Sequence, residues 1–130
     1  MSDTPNAEFM DSETPPPNQY ALTDDGILKV YSVGSTTVLG FDGKDVPSEF
    51  NAAHYRAAIA DLLTANQCTT VAFDVSGVRL IPSGMLGLLI SLRKLDGINP
   101  TVQLFNPSSD IEDVLKITKL NTMIEVHHLE

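Results

Sequence analysis

The spacing of apolar and polar positions changes period several times along this chain, and each change marks an element. Ile27 to Val33 and Thr36 to Phe41 are short β-favouring runs of β-branched, aromatic and aliphatic residues, separated by Gly34-Ser35. Two such runs joined by a Gly-X pair predict an antiparallel hairpin. Beyond the turn-rich Asp42-Gly43-Lys44-Asp45-Val46-Pro47 the period becomes helical. Ala52, Tyr55, Ile59, Leu62 and Leu63 then share one face of a helix that should end near Asn66. Val71 to Val75 reads as a short apolar strand, and the Gly- and Pro-broken stretch from Ser76 to Pro82 excludes a helix there. Ser83 opens a second helix, in which Met85, Leu88, Leu89, Leu92 and Leu95 form a stripe of about 120° that a sheet would bury. Thr101 to Phe105 is a fourth strand-like run. Ser109-Asp110-Ile111-Glu112 has capping-box spacing ahead of a third helix with Val114, Leu115 and Thr118. Ile124 to His127 alternates and reads as a short, half-polar edge strand. The predicted order is ββαβαβαβ, an α/β fold with a mixed sheet: an antiparallel hairpin first, then parallel strands joined by right-handed crossovers.

Residues 1–22 break this pattern. They are rich in Ser, Thr, Asp, Glu, Asn and Pro, include Pro15-Pro16-Pro17, and hold too few large apolar groups to offset the entropy of ordering. They are expected to be a disordered acidic tail, dispensable for folding, ahead of a domain over 23–130. Charge supports that division. The first 26 residues carry six acids (Asp3, Glu8, Asp11, Glu13, Asp24, Asp25) and no base, and the remainder carries 11 acids against 8 bases. With a net charge of -9 and no basic cluster beyond Arg93-Lys94, the chain is not expected to bind nucleic acid. No apolar stretch approaches the roughly 20 residues that cross a bilayer, and the start lacks the positive charge and apolar block of a secretory signal, so a cytoplasmic setting is expected.

The chemistry-bearing residues are sparse. Cys68 stands alone, and His54, His127 and His128 do not recur with Cys or acids at metal-ligand spacing. Gly84 and Gly87 lack the Lys and preceding glycines of a phosphate loop. No nucleophile, base and acid fall into a recognisable constellation, so neither an enzyme nor a bound cofactor or metal is expected.

The stretch Val71-Ala72-Phe73-Asp74-Val75-Ser76-Gly77-Val78-Arg79-Leu80-Ile81-Pro82-Ser83-Gly84-Met85-Leu86-Gly87-Leu88-Leu89 resembles the central signature of STAS domains, the family of bacterial anti-sigma factor antagonists and sulphate-transporter tails. In that family a strand ending Asp-Leu-Ser-Gly-Val leads into Asp-Ser-Ser-Gly-Leu-Gly at a helix start. The element order and Val114-Leu115-Lys116-Ile117-Thr118-Lys119-Leu120 are similar to it as well. The resemblance implies a STAS-like mixed sheet with helices packed mainly on one face. It implies a regulatory protein-binding module of partner-switching signalling in bacterial transcription, with an anti-sigma-type kinase or related regulator as partner. The alternative that it leaves open is a subunit of a transport complex, such as a lipid transporter, or a domain binding a nucleotide or lipid.

Carried over without gaps, the signature places Pro82 on the family's Asp, Ser83 on its first Ser, Gly84 on the usual phosphoacceptor Ser and Met85 on its Gly. Loss or alteration of phosphate control follows. Ser83 has two open readings: a hydroxyl that caps the second helix, or a substitute phosphoacceptor. Pro82, Ser83, Gly84, Leu86, Gly87, Ile90 and Arg93 are the expected partner-binding residues. Leu86 and Ile90 lie outside the buried stripe with Arg93 close by, and are either covered by a neighbouring helix or exposed as an apolar patch. Asp42 and Asp45 lie in the loop where STAS domains carry an acid near the phosphoacceptor; their local reading is as turn residues. Asp74 is expected to fix the Ser76-Gly77 turn.

Overall fold

The computed structural model describes residues 20–129. The reading of residues 1–19 as a disordered tail lies outside the described part. Ten elements follow in order: β1 (Tyr20–Ala21), β2 (Lys29–Ser32), β3 (Thr36–Gly40), α1 (Ala52–Ala65), β4 (Thr70–Asp74), α2 (Ser83–Arg93), β5 (Thr101–Phe105), α3 (Ser109–Ile117), a 3-10 turn (Leu120–Thr122) and β6 (Glu125–His127). The strands form one six-stranded sheet in sequence order. β1, β2 and β3 are antiparallel, and β3, β4, β5 and β6 are parallel. The predicted hairpin and the mixed sheet are both present, and β6 lies at the sheet edge.

Neighbouring parallel strands joined by right-handed crossovers carry their helices on the same face. Burial agrees: Leu39, Val71, Phe73, Val102 and Leu104 point into the core, whereas Val38, Gln103 and Phe105 on the opposite face are only half-buried. Tyr55, Ile59 and Leu63 of α1 and Met85, Leu88, Leu89 and Leu92 of α2 fill the layer above. Leu95, just past α2, completes the predicted stripe.

Three expectations need correction, and one element is added. Tyr20 and Ala21 pair with Val30 and Lys29, so the domain begins at or before Tyr20 rather than at residue 23. The pairing hides in the sequence because Tyr20-Ala21 is too short to show a period. The cap of α3 is Ser108, not Ser109: its Oγ accepts from Ile111 N at 3.1 Å, the bond that a cap makes to the third helical N–H. Ser83 opens α2 as foreseen, but Pro82 occupies the cap position and no side chain caps the helix. The 3-10 turn before β6 was not foreseen.

Candidate functional site

Parallel strands end on one edge of the sheet, so the loops after β3, β4 and β5 meet there. Asp74, at the end of β4, accepts from Ser76 N at 2.9 Å and from Ser76 Oγ at 2.6 Å. This fixes the turn that its sequence position led us to expect. Gly77 follows with φ of 81°. A Cβ there would stand 3.1 Å from Gly43 Cα and 3.3 Å from Gly43 O, so the first and second loops touch backbone to backbone. Gly43 itself has φ of 77°. Both positions therefore require the conformational freedom of glycine.

A second strap joins the same loops. Asp45 Oδ1 accepts from Arg79 N and Asp45 Oδ2 from Arg79 Nη2, each at 2.9 Å. The Arg79 N–H, then its guanidinium, hold the Asp45 carboxyl below the usual carboxylate range. The local reading of Asp45 is thereby corrected, since its partner lies 34 residues away. Asp42 pairs instead with Lys29 Nζ at 3.1 Å, and its own N–H donates to Tyr31 Oη at 2.8 Å. Among the described residues neither carboxylate bonds a residue of α2.

The third loop closes the frame. Ser108 Oγ donates to Arg79 O at 2.7 Å while capping α3, and Asn106 Nδ2 donates to Ser76 Oγ at 3.0 Å. Asn106 has φ of 59°, a conformation that Asn tolerates better than most residues. The loop from Val75 to Pro82 is thus held by Asp45, Asn106, Ser108 and the Gly43 backbone. On this frame Leu80 stands 56% exposed, a large apolar group left in solvent beside the start of α2.

The predicted partner residues divide into three groups on α2. Ser83 and Gly87 are exposed on its outward side, Ser83 with no hydrogen bond from its hydroxyl among the described residues and Gly87 with open space where a Cβ would stand. Gly84 faces the α1 side, where a Cβ would meet Phe50 Cε1 at 3.3 Å. Leu86 and Ile90 are half-buried against the core on the opposite flank, with Arg93 exposed below them. Pro82 is half-buried at the cap position. The apolar patch is thus neither fully covered nor fully open. Phe50 was missed by sequence reasoning, although a signal existed. It precedes the cap Asn51 and meets Tyr55 with ring centroids 5.0 Å apart, the hydrophobic staple that fixes chain entry into a helix.

Among the described residues no group of three or more His, Cys, Asp or Glu could hold a metal ion, and no helix is long and apolar enough to cross a membrane. No protein-family model and no curated protein sequence matches the chain. Solved structures do. A protein from Thermotoga maritima, TM1081, described as a candidate anti-sigma factor antagonist, superimposes with a TM-score of 0.62 at 21% identity, over 75% of this chain and 83% of that one. The chain has the fold of the anti-sigma factor antagonists. The antagonist SpoIIAA in its unphosphorylated form gives a TM-score of 0.56 at 19% identity, over 79% of this chain and 87% of that one. The solution structure of TM1081 gives 0.56 at 16% identity, over 97% and 90%. The antagonist fold is the STAS-like mixed sheet expected from the signature around Asp74 and Gly87.

Proposed function

We propose that this chain is a regulatory protein-binding module of the anti-sigma factor antagonist type, with an anti-sigma-type kinase or related regulator as partner, in a cytoplasmic partner-switching system. The observation that carries the proposal is the hydrogen-bonded frame at the start of α2. Asp45, Arg79, Asn106 and Ser108 fasten a loop that presents Leu80 to solvent, next to the open surface at Ser83 and Gly87. A preorganised loop with one exposed apolar anchor suits recognition of a protein, because little ordering remains to be done on binding.

Phosphate control of the usual kind is absent from this reading. Gly84 has no hydroxyl, and the space that a side chain would take is bounded by the Phe50 ring. Ser83, exposed at the first helical position, could accept a phosphate without unfolding the helix, but the module is expected to bind its partner without one. The test is recovery of the tagged chain from its native cells, with and without stress, beside Gly87→Arg, which adds a bulky charge where nothing stands within 4 Å. Loss of a kinase-type partner in the variant, with residues 82–87 unmodified in the wild type, supports the reading. Unchanged recovery in the folded variant would contradict the surface, and phosphate on Ser83 that disappears under one condition would contradict constitutive binding.

A further inference from the structure

Asn106 follows β5 directly and engages two segments that the sheet ladder alone would leave independent. Its N–H donates to His127 O at 2.8 Å, one rung beyond the β5–β6 pairing. Its Oδ1 accepts from Leu129 N at 2.7 Å, and its Nδ2 donates to Ser76 Oγ at 3.0 Å. One carboxamide therefore bridges the segment after β6 and the loop after β4.

The direction of each bond in this run is set at its far end. A carboxylate accepts and does not donate, and Asp74 Oδ1 takes the Ser76 hydroxyl proton at 2.6 Å. With that proton committed, Ser76 Oγ can only accept from Asn106. Asn106 must then turn its NH2 to Ser76 and its carbonyl to Leu129 N. The opposite orientation would set a carbonyl against the Ser76 oxygen and an NH2 against the Leu129 N–H. The result is one directed run, from Leu129 N–H through Asn106 and Ser76 to Asp74, in which each bond polarises the next. The loop that begins at Ser76 carries Leu80, 56% exposed.

We propose that Asn106 is a positioning residue and that residues 127–129 are a releasable strap: seated on Asn106, they steady the loop over residues 76–80, and their departure loosens it. As regulation of the partner surface this rests on the function proposed above, whereas the coupling itself is a property of the free chain. β6 suits release, because it has three residues, lies at the sheet edge and pairs on one side only. The seated state is held by His127, whose ring stacks on Phe105 with centroids 5.0 Å apart, and by His128, whose Nε2 meets Glu112 Oε2 at 3.2 Å. A molecule that draws residues 127–129 off the edge would slacken the surface around Leu80 without touching it.

The experiment removes the backbone donor that starts the run. Leu129→Pro lacks the N–H, and Leu129→Ala keeps it while trimming an exposed side chain. Amide NMR and hydrogen exchange on the free, full-length chain read the result at Ser76, Val78 and Arg79, whose N–H groups are bonded to Asp74, Val75 and Asp45. Leu129→Pro should shift these amides and speed their exchange by about two- to fivefold, the lower part of the range for one lost hydrogen bond, and Leu129→Ala should do neither. In an Asn106→Gly background, which removes the carboxamide but accepts φ of 59°, Leu129→Pro should change nothing further at these positions. The proposal is overturned if Leu129→Pro leaves them unmoved, if Leu129→Ala matches it, or if its effect persists in the Asn106→Gly background. No partner takes part in these measurements, so a failure of the partner surface in the recovery from native cells leaves their outcome unchanged.

Discussion

Replacing Gly77 with Ala probes the backbone contact on which the candidate site is built. The methyl group adds strain twice. At φ of 81° an L-residue sits in the left-handed region, at a cost of about 1–2 kcal/mol, less a few tenths recovered from the stiffer unfolded chain. The Cβ would also stand 3.1 Å from Gly43 Cα and 3.3 Å from Gly43 O, well inside the separation of about 3.5–4.0 Å that carbon atoms prefer. Gly43 cannot retreat freely, because Lys44 N donates to Phe41 O at 3.0 Å and Asp45 is tied to Arg79. The expected loss is about 2–4 kcal/mol, the upper part of the range for single substitutions. Gly26→Ala isolates the conformational share, since its φ is 72° and nothing lies within 4 Å of the added Cβ. That variant should lose only about 1 kcal/mol. Urea unfolding followed by circular dichroism measures both, and thermal midpoints should fall by roughly 10–15 °C for Gly77→Ala and about 5 °C for Gly26→Ala. Equal losses in the two variants would show that the loops do not press on each other, and the frame argument would fail.

Ser83→Ala should leave stability within about 0.5 kcal/mol, because the hydroxyl makes no bond among the described residues, whereas Ser108→Ala should cost about 1–2 kcal/mol by removing both the α3 cap and the bond to Arg79 O; similar losses in denaturant titrations would reverse the assignment of the caps. The Asp45 carboxyl, held below 3.8 by the Arg79 N–H and guanidinium, contributes its stabilisation above that pH and loses it as pH falls through the lowered folded-state value. Carboxyl NMR titration should therefore give a midpoint for Asp45 below 3.8, and a midpoint at or above it would mean that the strap to Arg79 is not formed in solution.

The fold was legible where the local pattern and the tertiary environment agree. The helical stripes of α1 and α2 and the β-branched runs of β2 and β3 have periods long enough to read, and Tyr55, Ile59, Leu63, Met85, Leu89, Val30 and Leu39 are buried as that period requires, whereas Leu62 and Val38 are half-buried and Val33 is exposed. The site was legible only in part. Asp74 and the Ser76-Gly77 turn act within a few residues of each other, so spacing reveals them. The bond of Asp45 to Arg79 and that of Ser108 to the Arg79 carbonyl join groups 34 and 29 residues apart, and nothing in the spacing of either pair marks them. The choice of Ser108 over Ser109 follows from its bond across to Arg79 O, a tertiary contact that two adjacent serines cannot disclose. Phe50 carried a local signal in its spacing to Tyr55, and its second contact, over Gly84, depends on how α1 lies against α2.

The claim that the start of α2 receives a protein partner is tested most directly by hydrogen exchange on the complex recovered from native cells, compared with the free chain. Amides of residues 79–90 should exchange more slowly in the complex, with Leu80 and Gly87 inside the protected region. Protection confined to the sheet face opposite the helices, with residues 79–90 unchanged, would contradict the account.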